Sequence, residues 1–585
     1  MSTEDPIHTI KPTEGEGTDS STVTGDAPSS PEKAPVLDAD GTSHTAEDAT
    51  KLKGEPMHHT ASFWMVFVAL CLASFLAALD VTVITTALPT ITAAIGGQDK
   101  YVWIANSYVL TSTAIQPLFG QLSNIFGRRS ITLIAVGLFI IGSGLSGGAI
   151  NVGMLIAGRC IQGMGSGAIM MLLDLIICDL VPLRQRAQYI GIVMSTSGVS
   201  ATLGPLIGGA IVQDISWRWT FYINLPIGGI VFVFVALFLN TKHTRSPTWT
   251  HAVARIDFLG NTIFIASIVA VLLGLIMGGQ VFPWSSWRII VPIVLGFFGV
   301  GIFVFYETTR WCKEPTIPLE LFQNRTSAIA YGLTFLSAML LQWASYYLPI
   351  YFQGVKLSTP ISSGIEILPL NAFLIPLTII AGIVVSQTGR YLPVHITSFA
   401  LIAIAFGLFT HFNATTSKAE WVITEIVAAA GLGFTMNSPL PALQASLPDS
   451  YSASATATYA FIRSFAFVWG ITIPAIIFNS QVTANVGKIT SDPSLQPIIG
   501  GGAALGYTSR KYLLTLPQDT RNQVVSVFSD ALKVSFYVGL AFALLGFLLC
   551  FGEKQIELRT TLDTEFGLEN EKSKKTKDEA EATPV

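Results

Sequence analysis

Gly120-Gln121-Leu122-Ser123-Asn124-Ile125-Phe126-Gly127-Arg128 closes one long apolar run. Gly382-Ile383-Val384-Val385-Ser386-Gln387-Thr388-Gly389-Arg390 closes another, with glycine, glycine and arginine at the same spacing. From Gly120 to Gly382 the offset is 262 residues. Ala87-Leu88-Pro89 and Tyr347-Leu348-Pro349 repeat at an offset of 260, and Gly163-Met164-Gly165 and Gly431-Leu432-Gly433 at 268. Each match alone is weak, because glycine is common in membrane helices. Three matches in chain order at a nearly constant offset argue for two duplicated halves. Halves packed about a central site are the general plan of secondary transporters.

Outward from these motifs, apolar runs of about 18–25 residues recur, each long enough for a hydrocarbon core of about 30 Å. Fourteen such runs are expected to span: six within 63–240, an inserted pair within 257–309, and six within 327–552. A long outer loop, 479–533, precedes the last of them. Backbone groups in lipid must be satisfied within the segment, and the runs lack the alternation of barrel strands, so each reads as a helix. The expected fold class is an all-α polytopic membrane protein.

Composition agrees. The chain is 51% hydrophobic and 12% charged, with mean hydropathy +0.56. Soluble domains carry roughly twice that charged fraction, which argues against a cytosolic enzyme. The net charge of −4 is uneven: residues 1–50 hold 11 acids and 2 bases, and residues 553–585 hold 9 acids and 6 bases. The body between them is left with 17 acids and 25 bases, a poor match to nucleic-acid binding. Residues 1–58 are too polar to offset their ordering entropy and are expected to be disordered; the tail 553–585 is expected to be loose. No cleavable signal peptide opens the chain, so the first run should itself direct insertion.

Basic residues set the orientation. With the N-terminus in the cytoplasm, Arg128, Arg129, Arg184, Arg186 and nine other bases fall inside. Lys100, Arg218, Arg288, Lys356 and Lys418 fall in short outer loops. The positive-inside rule therefore places both tails in the cytoplasm. None of the five cysteines sits outside, so no disulfide is expected. Asn413-Ala414-Thr415 is the outward-facing sequon and makes Asn413 a glycosylation candidate.

Five stretches resemble the 14-spanner drug:proton antiporters of the major facilitator superfamily, in particular their fungal toxin and multidrug efflux branch. They are Leu79-Asp80-Val81-Thr82 through Pro89, Gly120 through Arg129, and Arg159-Cys160-Ile161-Gln162-Gly163-Met164-Gly165. The other two are Gly204-Pro205-Leu206-Ile207-Gly208-Gly209 and Trp217-Arg218-Trp219 through Asn224-Leu225-Pro226. The resemblance runs from about Phe63 to Phe551 and implies a major facilitator fold. Two positions depart from it: Asn124 stands where the loop motif usually has an acid, and Ser200 where the exporter motif usually begins with a further glycine.

The resemblance and the cost of buried charge together select candidate residues. Asp80 lies about two-thirds through the first run, where an ionised carboxylate is expensive. It reads as a proton site or cation anchor, or as a structural acid held by its neighbours. Arg159, at similar depth on the fourth run, suits a fork onto that carboxylate or snorkels to the outer interface. Gln162, one turn below, binds substrate or bridges helices. Glu425 adds a second proton-coupling group or faces the outer vestibule; Glu366, opening the tenth run, suits a helix dipole. Trp343, Tyr346 and Tyr347 offer a cavity wall for flat organic ligands, or an interfacial aromatic belt. Asp174 and Asp179 are placed to pair with Arg128 or Arg129 and latch an inner gate, or to stand solvated. Glu307 and Arg463 read as interfacial. Gly120, Asn124, Gly127, Gly204, Pro205, Gly208 and Gly209 complete the gating and packing motifs, although ordinary small-residue packing has the same physics.

No G-x-x-x-x-G-K-[ST] loop points to ATP, and no H-E-x-x-H or paired C-x-x-C points to a metal. The expected function is that of a proton-coupled exporter of a toxin, secondary metabolite or drug, not an enzyme. It would need no cofactor beyond the proton gradient and would work as a monomer in the plasma membrane, with a vacuolar or vesicle membrane as the other address. The rivals are proton-coupled uptake of a siderophore or other small solute, and a non-transporting receptor of the same fold.

Overall fold

The structure is a computed structural model that describes residues 36–37, 43–44, 61–95, 101–241, 248–279, 281–309, 312, 314–448, 451–501 and 504–559. The disorder expected over 1–58 falls outside these, apart from Val36–Leu37 and Ser43–His44, which pair antiparallel as a unit of their own. The rest is helical. We label the long helices α1 (Ala61–Ile95), α2 (Tyr101–Ala114 and Gln116–Phe126), α3 (Arg128–Gly147), α4 (Val152–Leu180), α5 (Leu183–Asp214), α6 (Trp219–Phe238) and α7 (Phe258–Met277). There follow α8 (Trp287–Glu307), α9 (Arg325–Gly354), α10 (Pro360–Thr388), α11 (Leu392–Phe409), α12 (Lys418–Ala445), α13 (Ser452–Asn485) and α14 (Gln518–Cys550).

Among the described residues twelve helices are long and apolar enough to cross a membrane; α2 and α5 fall short of that measure. In α2 the helix breaks at Ile115, just before Pro117, whose ring cannot continue the backbone ladder. In α5 the middle is rich in Ser, Thr and Gly, which pack tightly but carry little hydropathy. The helix starts are encoded locally. Asn151, Asp257, Asn324, Thr359 and Ser417 each accept a backbone N–H from the first turn of the helix they open.

The duplicated motif has a structural cause in both copies. Gly127 at φ 84° turns the chain from α2 to α3, and Gly389 at φ 68° ends α10; both lie in the left-handed region that disfavours side chains. Gly120 and Gly382, seven residues earlier in each copy, lie where the halves pack closely. A Cβ on Gly120 would collide with Ala457, and one on Gly382 would lie 2.8 Å from the Ala187 carbonyl oxygen. Packing repeats as well: α1 on α5, α3 on α4 and α3 on α6 recur as α9 on α13, α11 on α12 and α11 on α14. The halves meet along α5–α10 and α2–α13. The inserted pair α7–α8 leans on α2 and α13, with Phe264 and Phe461 rings 5.0 Å apart.

Two expectations at the chain ends need correction. The loop expected over 479–533 is helical at both ends, because α13 continues to Asn485 and α14 begins at Gln518. The start of the C-terminal tail is not loose. Residues 553–559 lie as a strap across the end that carries the Gly120–Arg129 loop. Tyr391 Oη donates to the Lys554 carbonyl and accepts from Ile556 N at 3.0 Å, and burial pushes its phenol up to about 12. His395 Nδ1 lies 2.7 Å from Glu553 Oε2. Leu558 is buried among Leu183 and Ala187 of α5 and Ala381, Val385 and Val394 of α10 and α11, so the strap touches both halves. Burying one leucine contributes about 2 kcal/mol. Leu558→Asp is therefore expected to lower the thermal midpoint of the purified full chain, while the same change at exposed Phe551 does not. Equal midpoints for the two variants would mean the strap adds nothing.

Candidate functional site

A polar cluster sits inside the α1–α6 half, away from the strap. Asp80 of α1 is 2% exposed, and Arg159 and Gln162 of α4 and Asn224 of α6 are buried with it. The i, i+3 spacing of Arg159 and Gln162 places both on one face of α4. Arg159 Nη1 donates to Asp80 Oδ2 at 2.5 Å and to Gln162 Oε1 at 2.7 Å. Gln162 Nε2 donates to Asp80 Oδ1 and to Ser143 Oγ, both at 2.7 Å, and Asn224 Nδ2 donates to Asp80 Oδ1 at 2.8 Å. Tyr108 of α2 closes the other side: its ring lies 4.3 Å from the Arg159 guanidinium, a cation–π contact, and its hydroxyl donates to Ser166 Oγ at 2.5 Å. A buried ion pair whose carboxylate accepts three N–H groups is held in one arrangement while both charges persist, and loses its logic when one is neutralised.

Glu425 of α12 is also fully buried, but it stands apart from that cluster. It faces the Leu370 backbone without closing a hydrogen bond to it, with the Glu366 carboxylate nearby. Glu366 Oε1 accepts from Ser358 Oγ at 3.0 Å. The three aromatics of α9 separate. Trp343 is enclosed by Phe406 of α11 and Phe542 of α14, and Tyr347 is buried and donates to the Ile471 carbonyl at 3.1 Å. Tyr346 is 51% exposed. Asn413 is exposed in the α11–α12 loop, its side-chain oxygen accepting from Thr415.

At the strap end the gating candidates gather. Arg128 is buried, and its Nε donates to Asp179 Oδ2 at 2.7 Å while Nη1 donates to Asn124 Oδ1 at 2.7 Å. Asn124 thus supplies a neutral acceptor where the motif usually has an acid. Arg129 turns outward to Asn240 Oδ1 at 2.6 Å. Asp174 pairs with neither of these arginines; it accepts from Arg463 of α13 at 2.9 Å. Glu307, at the end of α8, accepts Ile317 N at 2.9 Å. Gly204 is pressed against Thr82 of α1, where a Cβ would collide; Gly208 is buried, Gly209 has open space around it, and Pro205 lies within α5. Several hydrogen bonds between the halves gather here. Arg184 reaches the Ser386 and Gln387 carbonyls at 2.6 Å, and Arg186 reaches Gln444 Oε1 at 2.7 Å. This end of the molecule is closed.

Residues 70–471 match the model of the Major Facilitator Superfamily. The chain belongs to that superfamily. It is a multi-pass membrane transporter and not an enzyme, and its substrates are small molecules. It is 49% identical to the MFS efflux transporter aclA of Aspergillus oryzae, over 92% of this chain and 97% of that one. It is 44% identical to the efflux pump FUS6 of Gibberella fujikuroi, over 88% and 94%, and 42% identical to the MFS-type efflux pump LUC4 of a Fusarium species, over 94% and 97%. Solved structures share its fold. The human organic anion transporter MFSD10 aligns at TM-score 0.54 and 14% identity, over 84% of this chain and all of that one. The proton:xylose symporter XylE aligns at 0.50 and 16%, over 85% and 98%.

Within this major facilitator transporter, sequence reasoning brought Asp80, Arg159 and Gln162 together but passed over Asn224 and Ser143. Asn224 had a signal: it is an amide interrupting the apolar stretch from Trp219 to Phe238, where an unpaired polar group is costly. Ser143 had none, since serine is ordinary in tightly packed membrane helices.

Proposed function

We propose that this transporter is a proton-coupled exporter of small organic molecules such as toxins, secondary metabolites or drugs. We further propose that all fourteen long helices cross the plasma membrane and that both tails lie in the cytoplasm. The reading rests on one observation above all: a buried carboxylate, Asp80, held by three donors including the Arg159 guanidinium. The efflux direction is supported by the curated relatives named as efflux pumps. With the strap end cytoplasmic, the closed gate corresponds to an outward-facing state. A proton entering from outside neutralises Asp80, frees Arg159 from its counter-charge and favours return to the inward-facing state as substrate leaves. Glu425 serves as a second titratable group in the other half. Of the aromatic residues on α9, Tyr346 is the one left open to a substrate, while Trp343 and Tyr347 are enclosed by protein and Gln162 bridges helices within the Asp80 cluster. Arg128, Asp179 and the motif glycines belong to the gate, and the working unit is a monomer.

One unit of pH supplies about 1.4 kcal/mol per proton. A membrane potential adds about 2.3 kcal/mol per charge per 100 mV. A tenfold substrate gradient needs about 1.4 kcal/mol, so one proton suffices.

The test is to delete the gene and profile small molecules retained inside the cell, then repeat with the wild-type chain restored. Protein-dependent loss of a compound from cells, collapsing with a protonophore, is the expected result. Protein-dependent accumulation would favour uptake instead. No change in any compound would favour a receptor.

A further inference from the structure

The Asp80 cluster is complete for an ionised carboxylate and incomplete for a protonated one. Asp80 Oδ1 accepts from Gln162 Nε2 at 2.7 Å and Asn224 Nδ2 at 2.8 Å, and Oδ2 accepts from Arg159 Nη1 at 2.5 Å. An O–H formed at Oδ1 would face two N–H groups, with no acceptor. The acceptors around it are unequally occupied. Gln162 Oε1 is held by Arg159 at 2.7 Å, and Ser143 Oγ accepts from Gln162 Nε2 at 2.7 Å. Asn224 Oδ1 is buried and has no hydrogen-bond partner among the described residues. A buried carbonyl without a donor is costly, and this one belongs to the amide already touching Asp80.

We propose that Asn224 is a positioning residue whose amide turns over with the proton on Asp80. Nδ2 donates to the carboxylate, and Oδ1 accepts from the Asp80 O–H once the proton has arrived. The proposal rests on Asp80 being the proton carrier. One bond forms and later breaks, the O–H on Asp80 Oδ1; the proton comes from water on one side and leaves to water on the other. Arg159 and Asn224 keep their own protons throughout.

Other groups facing the cluster do not supply the missing acceptor. From α4 comes the Arg159 cation, a donor only. From α2 comes Tyr108, whose hydroxyl is directed at Ser166 Oγ and makes no hydrogen bond to Asp80. From α3 comes Ser143, and α5 reaches α1 through Ser197 and Ser200 at Ser74 and the Phe75 carbonyl. Ahead of α6, Arg218 is held by the Gly147 and Ala149 carbonyls at 2.8 Å each. An amide that donates in one state and accepts in the other makes α6 responsive to the proton without carrying charge itself.

The full chain in lipid nanodiscs can be titrated with pH alone and followed by infrared difference spectroscopy, with the proton as probe. The protonated-carboxyl C=O band lost in Asp80→Asn belongs to Asp80. In Asn224→Leu the O–H loses its acceptor, and that band is expected to shift to higher frequency. In Asn224→Asp a second carboxyl lies against Asp80, and the titration midpoint is expected to move alkaline by about one pH unit or more. If Asn224→Leu does not fold, Asn224→Ala is read for the same band shift. Unchanged band position and midpoint would overturn the role of Asn224. If Asp80→Asn removes no band, the proton-carrier reading itself fails, and this proposal with it.

Discussion

Asp80→Asn is expected to reduce pH-driven transport about a hundredfold or more, which corresponds to roughly 3 kcal/mol of lost coupling. The substitution changes one oxygen into an amide nitrogen, and neither orientation gives Arg159 back its counter-charge. With its nitrogen toward Arg159, the new amide points N–H groups at a guanidinium that can only donate. With its nitrogen toward the two neighbouring amides, it faces Gln162 Nε2 and Asn224 Nδ2. Asn224 can turn over to accept one of these N–H groups, but Gln162 cannot, because its oxygen is held by Arg159. Either way Arg159 stays buried without a counter-charge, a situation that costs about 3–5 kcal/mol when a buried pair loses one partner. The thermal midpoint is therefore expected to fall together with transport, so the deciding readout is the dependence of initial rate on pH, normalised to protein in the membrane. Asp80→Glu keeps a titratable group and is expected to retain part of that dependence. An Asp80→Asn protein whose rate still follows pH as the wild type does would remove Asp80 from the mechanism.

How far this cluster was legible depends on what a one-dimensional pattern can carry. Asp80 was conspicuous because an acid deep in an apolar run is rare, and Arg159 because it sits at matching depth; cost and the family resemblance together single out both. Helical spacing also put Gln162 on the Arg159 face. Spacing says nothing about which other helix meets that face, so Asn224, 144 residues from Asp80, stayed part of a motif without a partner. The same limit separates the two acids near the end of α4. In sequence both acids read as partners of Arg128 or Arg129, or as solvated; Asp179 lies on Arg128, whereas Asp174 lies on Arg463, 289 residues away in the other half. The duplication was readable because its glycines answer local needs, the left-handed turns at Gly127 and Gly389. The strap was not, because its one apolar anchor, Leu558, is a single residue in a polar tail, and only packing shows that the pocket of Leu183, Ala187 and Val385 receives it.

The Asp174–Arg463 pair yields the second large expected effect, this time on conformation. Arg463 Nη2 donates to Asp174 Oδ2 at 2.9 Å, with the aspartate side chain fully buried and the arginine 11% exposed. The contact is single: among the described residues Asp174 Oδ1 and Arg463 Nη1 have no partner, and beyond the carboxylate the guanidinium has the Tyr459 ring at 5.1 Å. It joins α4 to α13, one half to the other, at the closed end. Asp174→Ala leaves a buried cation there, at a cost of about 3–5 kcal/mol against the closed state. Opening that end lets water reach Arg463 and relieves the cost, so the variant's population should move toward the open arrangement. A bias of about 3 kcal/mol is worth roughly a hundredfold in the ratio of states. Spin labels at Gln185 on α5 and Thr388 on α10, in a cysteine-replaced background, report the separation directly. Asp174→Ala is expected to shift the distance distribution to longer values. Asp174→Leu combined with Arg463→Met is expected to bring it back toward the wild-type distribution, because no unpaired charge remains. Identical distributions for Asp174→Ala and wild type would mean that Arg184, Arg186 and the strap hold this end closed without the pair.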